Sequence, residues 1–223
     1  KQYTEYDVAL ANEHLDRVLQ DKDSDGMRLR PDGERLSILV EVPSGGASAP
    51  IDTMNLVVTY WQAVGIDAQL EPEDRSIFDN RRNANQHDCV VWQGAGGLDV
   101  ILNPPYYFPF STRSDYAIPW ALWYSQASSP DAEPEEPPEA ARRQMELYDE
   151  LNATSDTVEQ EALMKEILTI AEEEFYCMGL VLPGPGYGIV KNTMHNVPAT
   201  MPDAFLYPTP GPTNPEQYYL DPQ

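Results

Sequence analysis

The sequence predicts an α/β fold in which a mixed sheet is flanked by helices. Patterns typical of strands and helices alternate over residues 36–94, and two long amphipathic helices follow over residues 138–175. Such alternation places helices on the faces of a largely parallel or mixed sheet. The chain has 223 residues, 41% of them hydrophobic. A chain of this size buries roughly 70% of its unfolded surface, which is enough for a core without cross-links.

Hydrophobic periodicity assigns the elements of the first half. Residues 5–20 carry apolar side chains at the i, i+3, i+7 spacing of a helix face. The second helix opens with Pro50 and Asp52 and ends at Gly65, as helix start and stop signals require. The same periodicities predict strands at 36–42, 66–74 and 87–94, and helices at 50–64 and 75–86.

Residues 94–138 are predicted to be one long irregular segment. They contain a glycine run, two aromatic clusters and an acidic, proline-rich stretch. Irregular segments of this length are uncommon in compact domains unless they are functional. We therefore expect this segment to pack on the domain or to bind a ligand.

The C-terminal part is predicted to begin with a helical hairpin. Helices are expected at 138–154 and 155–175, and the short join between them favours antiparallel packing. Asp156 and Glu159 have the spacing of a capping box at the second helix. A strand is predicted at 176–184, followed by a proline-rich tail.

The charge and the apolar runs exclude several classes of protein. Fourteen Lys and Arg against 37 Asp and Glu give a net charge of −23. Such a surface repels phosphate backbones and anionic lipids, so we expect no nucleic-acid partner. No apolar run approaches the roughly 20 residues of a membrane span. Cys89 and Cys177 lie in short apolar runs and are expected to be buried thiols, with one disulfide as the alternative.

An aspartate-rich turn matches part of a calcium-binding loop. Asp21, Asp23, Asp25 and Asp32 have the spacing of loop positions 1, 3, 5 and 12, and Gly26 has the position of the turn glycine. Aspartate at position 12 reaches less far than the usual glutamate. The loop is thus either a weak calcium site or a solvated turn, and no other cofactor or metal is expected.

A ligand edge is predicted where the third strand ends. Trp92 and Gln93 close this strand, and a glycine run and Asp99 follow them. Ligands of open α/β sheets bind at the carboxyl ends of the strands. The alternative is an ordinary glycine loop beside a core tryptophan. The glycine run is not GxGxxG, and no GxSxG motif or nucleophile–base pair is present, so no nucleotide site and no catalytic residue are expected.

Taken in order, these segments resemble the C-terminal half of family 5 extracellular solute-binding proteins, the receptors of ABC importers. The resemblance is carried by LSILVEV, YWQAVGIDAQLEPED, IFDNRR, HDCVVWQGAGGLD with LNP, and TSDTVEQEALMKEILTIAEEEFYCMGLVLPG. It implies one lobe of a two-lobed, type II-like periplasmic binding protein. Residues 1–189 would form the C-terminal ligand-binding lobe, and residues 190–223 would return to the N-terminal lobe of a longer protein.

The resemblance also implies a function. The protein would be a substrate-binding component that captures a small solute, with oligopeptide as the expected ligand, and delivers it to the transmembrane subunits of an ABC permease. Trp92 and Asp99 would face the ligand, with Asp99 pairing the α-amino group of a peptide, although their seven-residue separation exceeds the expected spacing. The other implied contacts are Gln93, Asn103, Tyr106 and Tyr107. The implied location is periplasmic or extracellular, with a lipoprotein anchor as an option.

Two other classes stay open at this point. A secreted carbohydrate-active hydrolase would use two carboxyl groups about 5–10 Å apart. A calcium-dependent extracellular interaction domain would use the aspartate-rich turn. The nature of the ligand is open as well, because peptide, nickel-chelate and sugar receptors share this architecture and a fold does not fix a function.

Overall fold

The structure is a computed structural model. It describes residues 5–44, 49–94, 100–181, 184, 186–202 and 207–221. The chain divides into two compact units, the first formed by Lys1–Trp92 and Pro109–Ala141 and the second by Gln93–Phe108 and Arg142–Gln223. The helices are α1 Val8–Asp16, α2 Ala49–Ala63, α3 Arg75–Asn83, α4 Ile118–Ser125, α5 Glu139–Ala153 and α6 Thr157–Glu174. The strands are β1 Ser37–Ser44, β2 Asp67–Asp74, β3 Cys89–Val90, β4 Met194–His195 and β5 Tyr219–Leu220.

A parallel sheet organises the first unit. Its order is β2-β1-β3, and both neighbours pair parallel to the central β1. Because strand side chains alternate between faces, Val40 and Val42 lie on one face, where they pack with Met54 and Val58 of α2 in the core. Glu41 lies on the opposite face, which α3 covers. The predicted β-α-β-α-β order and the α/β layering are confirmed, whereas the strand predicted at 87–94 is formed only by Cys89–Val90.

A buried arginine fixes the N-terminal segment to this sheet. The Arg28 side chain is fully buried and donates hydrogen bonds to the Val64 carbonyl at 2.8 Å and to Asn12 Oδ1 at 2.8 Å. It also pairs with Asp16. Gly65 adopts φ +89°, and a Cβ there would lie 2.7 Å from the Gly26 carbonyl oxygen. The close approach of the two backbones therefore requires glycine at position 65.

The expectation that residues 94–138 are irregular throughout is wrong for Ile118–Ser125. These residues form α4, which begins with Pro119 in its first turn and ends at Gln126 in the left-handed conformation. Ile118, Ala121 and Leu122 are all buried. The helix is short and apolar on most sides, so it lacks the polar–apolar period from which a helix is predicted.

The predicted helical hairpin is confirmed in α5 and α6. Gln144 of α5 is buried, and its Nε2 donates to the Ile167 carbonyl of α6 at 3.0 Å. Asp156 caps α6, since its Oδ1 accepts from the backbone N–H of Val158 at 2.9 Å. The reciprocal half of a capping box is replaced, because the Asp156 N–H donates to Thr154 Oγ1 at 3.2 Å. The single cap nevertheless satisfies backbone donors at the start of α6.

The strand predicted at 176–184 is not formed by residues 176–181, which are exposed and lie in irregular backbone. A strand needs a neighbouring strand to bond its backbone groups, and no described segment pairs with these residues. Cys177 is therefore exposed, contrary to the prediction of a buried thiol, whereas Cys89 is half-buried in β3. The two sulfurs are not joined in a disulfide. The predicted division at residue 189 stays a prediction.

Candidate functional site

The carboxyl edge of the parallel sheet carries the candidate site of the first unit. Strand β2 ends at Asp74 and β3 ends at Val90. Because both strands run parallel to β1, the backbone leaves the sheet at the same edge after each of them. Arg75 follows β2 directly as the first residue of α3, and Trp92 lies two residues beyond β3. The structure thus places Trp92 at the edge where the sequence predicted a ligand contact.

Two residues on one face of α3 contact the Trp92 ring. Phe78 stacks with it at 5.8 Å between ring centroids and 22° between planes. The Arg75 guanidinium carbon lies 4.2 Å from the centroid of the Trp92 ring. Arg75 and Phe78 are three residues apart and so share a helix face. Phe78 is fully buried and Trp92 half-buried, so the indole is anchored while part of it stays accessible.

Ion pairs run along α3 from Arg75 and connect the helix to the segment before α4. Arg75 Nε donates to Asp79 Oδ2 at 2.7 Å, and Arg82 Nη1 lies 3.1 Å from Asp115 Oδ1. Arg82 also approaches Asp79 at 3.6 Å. Burial raises the pKa of Asp115, and the Arg82 guanidinium opposes that shift. Two arginines and two aspartates thus form one chain of charges beside Trp92.

A second charge cluster lies beneath α3, on the sheet face opposite the core. The fully buried Glu41 carboxylate accepts a hydrogen bond from Arg81 Nε, and Glu73 Oε1 lies 3.6 Å from the same nitrogen. Burial and the neighbouring Glu41 raise the pKa of Glu73, against the effect of Arg81. Burial lowers the pKa of His87. One arginine therefore serves two carboxylates, and this cluster holds α3 on the sheet.

The remaining predicted ligand contacts belong to the second unit or lie outside the described residues. Asp99 is outside them, so its predicted role is not examined by the structure. Gln93 is exposed, and Asn103 is nearly fully buried before the 3-10 turn Pro104–Tyr106. Tyr106 and Tyr107 are half-buried. The Tyr107 carbonyl accepts from Gln144 Nε2 at 3.2 Å, which ties this segment to α5.

Arg75 is absent from the contacts predicted from the sequence, although it lies against Trp92. The sequence gives little indication that Arg75 contacts a ligand, because residues 75–86 are predicted only as a short polar helix. The position of Arg75 directly after a strand was the one available hint, since residues there lie at the ligand edge of a parallel sheet. The contact with the indole joins residues 17 positions apart and depends on the pairing of β2 and β3 with β1.

The aspartate-rich turn is held by its own hydrogen bonds and ion pairs. Asp23 Oδ1 accepts from the backbone N–H of Asp25 at 2.9 Å and of Met27 at 3.0 Å. Arg35 pairs with both Asp23 and Asp25. Partial burial acts to raise the pKa of Asp23, but the Met27 and Asp25 amides and Arg35 lower it overall.

The remaining carboxylates of this turn do not gather around a common point. Asp32 accepts from the Glu34 N–H at 3.1 Å and pairs with Arg30 at 2.8 Å. Across the described ranges, no three His, Cys, Asp or Glu side chains are grouped as metal ligands. Calcium binding at Asp21, Asp23, Asp25 and Asp32 stays a prediction.

The solved structures that this chain resembles include named binding proteins. The chain matches the oligopeptide-binding protein OppA with a TM-score of 0.69 and 26% identity, over 98% of this chain and 36% of that one. It matches the stachyose complex of the periplasmic binding protein MelB from Agrobacterium fabrum at 0.62 and 19%, over 78% and 25% of the two chains. It matches NikA from Brucella suis in complex with Fe(III)-EDTA with a TM-score of 0.57 and 23% identity, over 78% of this chain and 32% of that one. The chain thus spans about a third of the length of OppA.

The fold is that of a part of a periplasmic binding protein. The model of the bacterial extracellular solute-binding proteins, family 5 middle, matches residues 1–143. The chain belongs to this family, and the predicted resemblance and fold class are confirmed. No curated protein sequence matches the chain. Within the described residues, no helix has the length and apolar character needed to cross a membrane.

Proposed function

We propose that the chain is the ligand-binding part of an ABC importer's substrate-binding component, with oligopeptide as its ligand. The observation that carries the proposal is Trp92, which α3 anchors at the carboxyl edge of the parallel sheet. An indole offers a broad apolar surface with little demand on the side chains of a peptide. OppA, whose name states oligopeptide binding, supports this ligand class through its 26% identity over nearly the whole chain.

The other implied contacts belong to the same proposal. A carboxylate in a cleft that excludes water pairs strongly with a cation, which gives Asp99 its proposed role with the α-amino group of a peptide. Asn103 and the two tyrosines at positions 106 and 107 are proposed to supply polar and aromatic contacts. The stachyose and Fe(III)-EDTA complexes of the two other relatives support the fold alone at their lower identities.

The proposal includes partners that are absent from the structure. In the full-length protein an N-terminal lobe would close over the ligand, and the closed form would engage the transmembrane subunits of a permease. Ligand shifts such an equilibrium only by binding the closed state better than the open state. The proposed location is periplasmic or extracellular, and the family consists of binding proteins, so no catalytic residue is proposed.

Native mass spectrometry of the full-length protein as purified tests the proposal. We expect a ladder of co-purifying masses that match short peptides. The Trp92→Ala variant is expected to lose most of this ladder, because the indole supplies contact area to every peptide. Trp123→Ala is the matched control, since Trp123 is an exposed tryptophan on α4.

Two results contradict the proposal in different ways. A single sugar or metal-chelate mass in place of the ladder rejects oligopeptide as the ligand and keeps a solute receptor. Turnover of a substrate by the purified protein, with no bound solute, rejects the receptor itself.

A further inference from the structure

Two contacts hold the Arg75 side chain at the edge of the sheet. Its guanidinium carbon lies 4.2 Å from the centroid of the Trp92 ring. Its Nε donates to Asp79 Oδ2 at 2.7 Å, one turn along α3. A planar guanidinium that stacks on a ring and bonds through Nε has lost most of its rotational freedom. The side chain is nevertheless 54% exposed, so it is held in place without being buried.

The two terminal nitrogens of Arg75 form the unused edge of this group. Within the described residues, the Arg75 side chain donates one hydrogen bond, from Nε to Asp79, and neither Nη nitrogen donates to a neighbour. A guanidinium edge with two parallel N–H donors matches the two oxygens of a carboxylate. Because stacking and the Asp79 bond orient the fork in advance, little further entropy is lost when an anion binds.

Arg75 belongs to a chain of ion pairs in which positive and negative charges are equal in number, unlike those of the whole sequence. Arg75 and Arg82 carry two formal positive charges, and Asp79 and Asp115 carry two formal negative charges, within one chain of ion pairs. The whole chain carries −23. The two arginines thus compensate the two aspartates of this chain of ion pairs, and Asp74, which caps α3 directly before Arg75, adds one further negative charge.

We infer that Arg75 is a specificity-determining residue that binds a carboxylate of the ligand at the Trp92 edge through its Nη nitrogens. The inference rests on the proposed function and narrows it to solutes that carry a carboxylate. In this arrangement Trp92 has two roles, since it contacts the ligand and positions Arg75. A merely structural arginine would instead support Trp92 for every ligand alike, whatever its charge.

Isothermal titration of the full-length protein with tri-alanine and with tri-alanine carboxamide separates these roles. The two probes differ in charge at one end and little in shape. We expect the wild type to prefer the free acid about 10-fold, the size of one charge-assisted hydrogen-bonded contact. Arg75→Gln is expected to weaken binding of the acid to the level of the amide and to leave the amide unchanged. Arg75→Lys keeps the charge without the planar fork and should retain part of the preference.

The control variant is Arg30→Gln, which removes an exposed arginine paired with Asp32 in the aspartate-rich turn and should leave both affinities as in the wild type. Equal binding of the two probes by the wild type overturns the inference. An unchanged preference in Arg75→Gln, or an equal loss of both probes, overturns it too and leaves the peptide receptor standing. Failure of the wild type to bind either probe rejects the peptide receptor and the inference together.

Discussion

Two arginines of α3, six residues apart, differ in what surrounds them. Arg81 lies over the sheet, bonded to the fully buried carboxylate of Glu41 and near Glu73. Arg75 lies at the sheet edge, stacked on Trp92 and paired with Asp79, and more than half of its side chain is exposed. Both guanidinium groups are ion-paired, but only the partner of Arg81 is removed from water.

The two environments indicate that burial of the carboxylate partner, more than the ion pair itself, decides whether an arginine stabilises the fold or can bind a ligand. A carboxylate as buried as Glu41 is costly without its cation, so Arg81 is committed to the fold. Asp79 keeps 31% of its side chain exposed and also lies near Arg82, so we expect Arg75 to matter less for folding and to be available to a ligand. This separation of the two roles along one helix leads to three further predictions.

The largest effect is expected at the buried pair. Arg81→Met leaves the Glu41 carboxylate enclosed without a cation, and we expect the free energy of unfolding to fall by about 3 kcal/mol. Urea denaturation followed by circular dichroism measures the change. The control is Arg17→Met, which breaks an exposed i,i+4 pair with Glu13 and should cost less than about 0.5 kcal/mol. Equal losses in the two variants would show that burial does not distinguish these pairs.

A smaller effect is expected when the exposed arginine is removed. Arg75→Gln eliminates a stacking contact and an i,i+4 pair, both partly solvated, so the free energy of unfolding should fall by at most about 1 kcal/mol. The same urea titration measures it, in the absence of ligand. A loss as large as that of Arg81→Met would mean that Arg75 supports the fold, and the proposed separation of roles would be wrong.

The sequence predicts the part of this picture that follows from local patterns. The strand predicted at 66–74 is observed as Asp67–Asp74, and Trp92 lies at the predicted edge. Periodicity detects these features because apolar side chains recur within each element. Glu41 was not predicted to be buried, since an acidic residue inside a strand usually marks a solvated face. Here α3 covers that face, and only the assembled layers show it.

Features that depend on distant neighbours were missed. The contact of Arg75 with Trp92 needs β2 and β3 to pair with the same strand, which no local pattern reports. The strand predicted at 176–184 had the right composition, but residues 176–181 have no described partner strand. Asp99 remains predicted from its place in the sequence and from the family resemblance alone.

The smallest expected effect concerns the imbalance of charge around Arg81. Glu41 and Glu73 share this one arginine, and the second oxygen of each carboxylate is buried without a hydrogen-bond partner. Burial and the proximity of Glu41 raise the pKa of Glu73 in the folded protein. A carboxyl group with a raised folded-state pKa favours folding while it is protonated, and this contribution is lost as the pH rises through that pKa.

Glu73→Gln should therefore stabilise the protein at pH 7, by less than about 1 kcal/mol, because it removes a charge that the fold disfavours. The advantage should shrink as the pH falls below the ordinary pKa of glutamate, since the wild-type side chain is then neutral in both states. Melting temperatures at pH 7 and pH 4 measure the two limits, with Glu161→Gln on the exposed side of α6 as the control. A destabilised variant at pH 7 would show that Arg81 fully compensates both carboxylates. The cluster beneath α3 would then be a balanced ion-pair network, and the difference between Arg75 and Arg81 would rest on burial alone.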